Sequence, residues 1–397
     1  MLPGRIKLYM KRFFVILLSL LTTGLSLSAQ KSLLWNADRL YTVKSDPTYE
    51  KLKNGIFWNA KSLLEKEDEV LVNKPLKFVD DARYYVSIGV YWWPDPSNPG
   101  GPYIRKDGQI NPETQDYDAP KLSRMIRRVK TFAVAFYLTG ELIYKDAMVS
   151  QLRSWFLDPQ TGMLPNFQYG QIHPGSRNNI GSAAGLIEAY PFNDVIEAIR
   201  LVNSESAIDR KTMTALKQWF SDFADWMIDS DIGLAEYWAT NNHGVAYDVL
   251  LANIAEFTGR KDILKRVTDD FRWMRLDCQI MPDGSQPLEL DRTRSYHYVL
   301  YNLVHIVDFC ILQENLGNSY YLANKDIIDS AFLWVVPYVG HPEKWLWVEN
   351  LRKWAEEDKI FCTELQRIKR LKPRKNDTLP FADFGTDSYE NINSVLK

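Results

Sequence analysis

Cysteine and histidine are both scarce. The 397-residue chain has three of the first, Cys278, Cys310 and Cys362, and five of the second. So sparse and odd a set of cysteines cannot be a disulfide scaffold, although one bridge would suit an oxidising compartment. The histidines are His173, His243, His297, His305 and His341. They form no His-x-x-x-His pair and no Cys/His cluster at zinc spacing, which argues against a histidine-rich metal centre. An excess of positive charge is also lacking: 48 Lys and Arg stand against 50 Asp and Glu, for a net charge of -2. That excludes a bulk basic surface for nucleic acid, so positive contacts to any polyanion must be local to a cleft. Beyond the N-terminal region, no stretch is long and apolar enough to span a bilayer.

The N-terminus carries Arg5, Lys7, Lys11 and Arg12, then a mostly apolar run from Phe13 to Leu25, then Ser26, Ser28 and Ala29. That order predicts a secretory signal peptide over residues 1–29, and with it export to the periplasm. Residues 30–397 suffice for one large core, and no linker-like stretch divides them, so they read as a single domain.

Aromatic residues are abundant, with 13 Trp, 21 Tyr and 18 Phe. They suit a large core, and equally a sugar-binding cleft, because a pyranose presents an apolar C–H face to a flat ring. Apolar residues recur at three-to-four spacing over Ala119–Tyr137, Leu186–Val202, Lys211–Met227, Val245–Phe257, Ile263–Leu276, Tyr298–Gln313 and Ile327–Tyr338, which predicts helices there. No series of alternating strands appears. Phe136-Tyr-Leu-Thr-Gly140 is followed by Trp155, and Phe257-Thr-Gly259 by Trp273, with weaker echoes at Asn203 with Trp219 and Gly317 with Trp334. Helix, turn residue, helix and aromatic thus recur at roughly sixty residues, the mark of αα-hairpins that bury their faces only by stacking. The expected fold is all-α, an α/α toroid with a central cleft.

Three segments interrupt the helices: Tyr91–Tyr103 with Arg105 and Gly108, Pro165–Gly181, and Pro282–Arg294. The prolines and glycines of the first forbid helix, and the aromatics, amides and arginines of all three suit function more than packing. His243 lies in Trp238-Ala-Thr-Asn-Asn-His-Gly244, at the start of a helical pattern, where amides and an imidazole can meet an anion or simply cap the helix. Glu289 to Tyr298 concentrates Arg292, Arg294, His297 and two tyrosines. Either arginine could favour the phenolate of a tyrosine whose free pKa is about 10, while the other holds a carboxylate.

Trp-Trp-Pro-Asp-Pro at 92–96, Asn-Asn-Ile-Gly at 178–181, Asn-Asn-His-Gly at 241–244 and Glu-Leu-Asp-Arg-Thr-Arg-Ser-Tyr-His-Tyr at 289–298 stand in an order that resembles the alginate lyase superfamily. The resemblance spans residues 80 to 310 and implies an α/α toroid. It also implies a catalytic set that maps to Asn242, His243, Arg292 and Tyr298, with an acidic polysaccharide as substrate. The residues themselves call for no cofactor and no histidine-bound metal, and a calcium site made of carboxylates stays open. Only Thr293 separates the two arginines, where members acting on polymannuronate have one residue more. That keeps Arg294 as a second candidate and glucuronan beside polymannuronate as a candidate polymer. Trp92, Trp93 and Tyr169 are expected as sugar-stacking walls, and Arg177, Asn178, Asn179, Asn241 and Arg294 as polar substrate contacts. Two other readings fit the composition. An inverting glycoside hydrolase would draw its acids from Asp95, Asp248, Glu289 and Asp291. A periplasmic glycan-binding protein would need no such catalytic set.

Overall fold

A computed structural model describes residues 32–204, 207–371 and 392–397. The expected signal segment, 1–29, lies outside the described residues. The main helices are α1 (Ala37–Ser45), α2 (Glu50–Leu64), α3 (Ala119–Thr139), α4 (Leu142–Leu152), α5 (Phe192–Asn203), α6 (Arg210–Asp229) and α7 (Asp231–Tyr237). They continue as α8 (Asn242–Thr258), α9 (Lys261–Phe271), α10 (Pro287–Leu290), α11 (Ser295–Asn315), α12 (Lys325–Val335) and α13 (Trp354–Lys369).

Two kinds of helix build two layers. α8 and α11 are buried on nearly every side, from Val245 to Ala255 and from Tyr298 to Cys310. A helix that is apolar all round must lie inside. α9 buries only Ile263, Val267 and Phe271, one stripe at four-residue spacing, and so lies outside. α3 packs against α2, α4 and α5; α5 packs against α8; α8 packs against α6, α9 and α11; α11 packs against α13. The inner helices therefore follow one another side by side with outer helices behind them, and the fold is an α/α toroid.

The hairpin repeat is real. α3 and α8 each end on a glycine in the left-handed region, Gly140 at φ 73° and Gly259 at φ 82°, where a side chain would be strained. The following helices each close in a π-turn, Arg153–Leu157 and Arg272–Leu276, and these hold Trp155 and Trp273. Trp155 is fully buried, whereas Trp273 is half exposed. Two predicted helices are shorter than their pattern. The stretch 183–189 is a 3-10 helix, and α5 begins only after Pro191. α12 stops at Val335, before Pro337, which has no N–H to donate.

Two small sheets fasten the loops. β1 (Val86–Ile88) pairs in parallel with β4 (Tyr169–Ile172), and β2 (Trp92–Trp93) pairs antiparallel with β3 (Ile104–Arg105). The first loop is thus a hairpin. It meets the second loop where the Tyr103 N–H donates to the Pro174 carbonyl at 3.0 Å. It meets the third where Asp107 receives Arg292 at 3.0 Å. The three cysteines are free thiols. Among the described residues no helix is long and apolar enough to cross a membrane, and no cluster of three His, Cys, Asp or Glu could hold a metal ion.

Candidate active site

The loops enclose a cleft of about 620 Å³ whose walls include Tyr91, Trp92, Arg105, His173, Arg177, Glu236, Asn241, Asn242, His243, Arg292, His297 and Tyr298. All four residues expected to be catalytic are on it. Of the expected substrate contacts it gathers Trp92, Arg177 and Asn241. Trp93, Tyr169, Asn178, Asn179 and Arg294 do not line it.

The first turn of α8 supplies Asn242 and His243. His243 Nδ1 lies 2.6 Å from Glu236 Oε1 on α7, which fixes the ring and leaves Nε2 for the cleft. Asn242 is buried against Glu289 of α10. Its backbone N–H donates at 2.6 Å, and its Nδ2 donates to both carboxylate oxygens at 3.0 and 2.8 Å. Its Oδ1 is buried with no hydrogen-bond partner among the described residues. Burial raises the pKa of Glu289, against the hydrogen bonds from Asn242 that lower it. Gly244 follows because a Cβ there would lie 2.2 Å from the Ala239 carbonyl and 2.7 Å from Arg275 Nη1.

The first turn of α11 supplies Tyr298. Its hydroxyl lies 2.7 Å from that of Tyr91, and Arg294 Nη1 donates to Tyr91 at 3.2 Å from behind. Arg292 lies over the Tyr298 ring, its guanidinium carbon 3.9 Å from the centroid. The two arginines therefore divide: Arg292 faces the cleft and Arg294 backs the tyrosine pair. Asp107 anchors Arg292, Thr293 and Arg105 together. Burial alone would raise its pKa, but the hydrogen bonds from Arg292 and Thr293 hold it well below the usual carboxylate range. The cationic neighbours were expected to lower the pKa of Tyr298. Instead burial, first, and Tyr91 push it up, and the pull of Arg292 and Arg294 is outweighed. Removing a phenol from water disfavours its charged form.

Trp92 stacks on His173 at 3.7 Å between centroids. Burial, helped by Arg177 and Arg105, lowers the pKa of His173 to about 4, so charge at this end of the cleft comes from arginine. Trp93 instead turns to the Gln109 carbonyl at 2.8 Å, with Lys106 over its ring. Tyr169 packs edge-on against Tyr84. Asn179 accepts from the Gly175 N–H at 2.8 Å and so holds the turn that carries Arg177. Arg177, Asn178 and Asn179 all have positive φ, near 52 to 56°.

Sequence reasoning missed Tyr91, Asp107, Glu236 and His297. Tyr91 directly precedes the Trp-Trp-Pro-Asp-Pro motif, which is a signal that could have found it. The two carboxylates carry no local mark, since each is defined by a partner on another element.

A sequence profile of the family described as Alginate lyase matches residues 79–345. An alginate lyase from Bacteroides ovatus has a similar structure, with 36% identity and a TM-score of 0.82, over 87% of this chain and 93% of that one. Alginate lyase A1-III from Sphingomonas species A1 matches at 16% identity and a TM-score of 0.48, over 72% and 77% of the two chains. Comparison with curated protein sequences finds no match. The chain belongs to the alginate lyase family, and it is a polysaccharide lyase.

Proposed function

We propose that this lyase cleaves β-1,4-linked D-uronate polymers, polymannuronate or glucuronan, by β-elimination at Tyr298. The observation that carries the reading is the tyrosine itself, held on the cleft wall between Tyr91 and the Arg292 guanidinium. The C6 carboxylate of a uronate acidifies its C5 proton, and neutralising that carboxylate stabilises the enolate-like intermediate. Arg105, Arg177 and Arg292 are the charged cleft groups able to donate to it, whereas a neutral His243 whose Nδ1 donates to Glu236 presents Nε2 as an acceptor. Asn242 lies in the cleft wall with its Nδ2 committed to Glu289 and its Oδ1 buried, so a contact to the carboxyl needs its side chain to move. A base removes the C5 proton, the C4–O4 bond breaks as the C4–C5 double bond forms, and O4 takes a proton.

In D-mannuronate and D-glucuronate the C5 proton and O4 lie on one face of the ring. A single tyrosine can then take the first proton and return one to the second. The raised pKa of Tyr298 suits the acid half of that cycle, and loss of its proton as base has to be assisted by the bound substrate and Arg292. The name of the Bacteroides ovatus neighbour supports alginate as the polymer class, and the basic, apolar start of the chain supports export.

An inverting hydrolase needs two carboxylates about 6.5–9.5 Å apart across the cleft. Among the described residues that line the cleft, Glu236 is the single carboxylate, and it is bound to His243. Asp248 is buried against Arg275, and Asp95 caps an exposed turn at Ser97. The test is to incubate the purified enzyme with mannuronan, guluronan and glucuronan and follow the ultraviolet absorbance of unsaturated ends. Product from either D-uronate, faster than from guluronan, is expected. Faster cleavage of pure guluronan would overturn the reading.

A further inference from the structure

His243 is not the only locked imidazole in the cleft. His297 immediately precedes Tyr298 on α11 and lines the same cavity. Its Nδ1 lies 2.8 Å from Glu357 Oε1, and its backbone N–H donates to Glu349 at 3.2 Å. Its ring stacks on Tyr301, centroids 5.7 Å apart and planes 12° apart, and stands edge-on to Tyr298 at 5.2 Å. The wiring repeats that of His243 with Glu236: a carboxylate takes Nδ1 and fixes the tautomer, leaving Nε2 as the ring's remaining polar atom. The side chain of His297 keeps 24% of its surface exposed, whereas Glu357 keeps 8%.

The carboxylate comes from an unexpected place. Glu357 lies on α13, beyond the residues 79–345 that match the family profile. The same helix supplies Asp358, which accepts from the Tyr296 hydroxyl at 2.6 Å. α13 thus fixes two consecutive side chains at the start of the helix that carries Tyr298. Fixing Tyr296 needs no cleft, because Tyr296 is fully buried. Fixing the orientation of a partly exposed imidazole does point to a ligand.

The chemistry left for that ligand is narrow. Arg105, Arg177 and Arg292 already supply the cleft with donors for carboxylates. The carboxylate Glu236 is committed to His243, so acceptors for sugar hydroxyls fall to the Nε2 atoms of His243 and His297 and to the amide and hydroxyl oxygens of the wall. A neutral imidazole that donates through Nδ1 accepts through Nε2. We propose that His297 is a substrate-binding residue whose Nε2 accepts a hydrogen bond from a sugar hydroxyl beside the scissile bond, and that it thereby helps set the choice between mannuronate and glucuronate. These two sugars differ in the configuration of one hydroxyl, at C2. Glu357 is then a positioning residue. The assignment rests on the D-uronate reading above.

The experiment measures kcat and KM for polymannuronate and glucuronan with the full chain, its His297→Ala variant, and Glu357→Ala and Glu357→Gln. A site that pairs with a hydroxyl discriminates by that hydrogen bond. His297→Ala should therefore lower kcat/KM on the preferred polymer about 3- to 10-fold, mostly through KM, and lower it less on the other. Glu357→Ala should reproduce this narrowing of the ratio. Glu357→Gln should restore most of it, since an amide oxygen still accepts from Nδ1. If the His297→Ala protein does not fold, the two Glu357 variants carry the same comparison. A ratio that stays within twofold in folded variants overturns the assignment alone. Absence of unsaturated product from the parent on both polymers overturns the D-uronate reading and this assignment with it.

Discussion

Tyr298 and Arg292 touch each other, yet they should fail differently when altered. Tyr298→Phe removes only the hydroxyl and its bond to Tyr91, so the fold should persist. If that hydroxyl is both base and acid, turnover should fall by at least the roughly 10²–10⁴-fold that general acid–base catalysis contributes. Activity within a few-fold of the parent would remove Tyr298 from the chemistry. Arg292→Ala should lower kcat more than it raises KM, because a contact to the developing enolate strengthens in the transition state. Asp107→Asn tests the same arginine from behind. Asp107 holds Arg292 at 3.0 Å and Thr293 Oγ1 at 2.8 Å, so its loss should free the guanidinium from the tyrosine ring and lower kcat in the same direction. An unchanged kcat in Asp107→Asn would mean that Arg292 keeps its place without the anchor. The motif residues were legible because Asn242, His243, Arg292 and Tyr298 sit in short runs of chemically distinctive side chains. Their supports were not, because Glu236, Asp107 and Glu357 are ordinary acids until the fold sets them beside a partner. Burial was equally invisible. Two arginines near a tyrosine in sequence suggested a lowered pKa, and the surrounding core reverses the direction.

At the scale of elements, periodicity found the inner helices and the glycine-ended hairpins, because three-to-four spacing and left-handed caps are local features. It passed over α2, α4 and α13. α4 mixes exposed Leu142 and Ile143 with buried Tyr144 and Met148, and so shows no clean stripe. The position of α8 depends on a contact no pattern reveals. Arg275, in the π-turn after α9, grips Asp248 of α8 at 2.7 and 3.1 Å and donates to the carbonyls of Tyr237 and Ala239. It thus ties the end of α7 to the helix that presents His243. Arg275→Leu would leave Asp248 buried without its cation, and breaking such a pair costs about 3–5 kcal/mol. A fall of that order in the free energy of unfolding by denaturant is expected, together with reduced activity as the Tyr237–Asn241 segment loosens. A loss below about 1 kcal/mol, the range of an exposed pair, would show that the ion pair is dispensable.

The toroid buries titratable rings together with its apolar core, and this gives the whole molecule a pH window. Tyr85, Tyr190, Tyr296 and Tyr298 all have pKa values raised by burial above the ordinary 10.0. A phenol raised in the folded state contributes stability that is complete below pH 10 and is lost as pH rises through its folded value. On the acid side the burden falls on two depressed imidazoles, His173 in the cleft and, more deeply buried, His305. The His305 ring lies between Tyr190 and Tyr301, with centroids 4.3 and 4.4 Å away. Asp308 favours its charge, but burial dominates and lowers its pKa from 6.5 to about 3. The contribution of a depressed imidazole is complete above the unfolded value of 6.5 and disappears as pH falls from there towards 3. Thermal midpoints should therefore hold a plateau near neutrality and decline below pH 6.5 and above pH 10. His305→Phe isolates the acid limb. Among the described residues neither ring nitrogen of His305 has a hydrogen-bond partner, so phenylalanine gives up no such bond and keeps an aromatic ring between the two tyrosines. The variant should match the parent near pH 8 and exceed it near pH 5, where the unfolded parent gains a proton that the folded parent refuses. Parallel acid limbs for the two proteins would show that His305 does not set the acid limit, and His173 together with carboxylates held low in the folded state, such as Asp107 and Asp308, would then account for it.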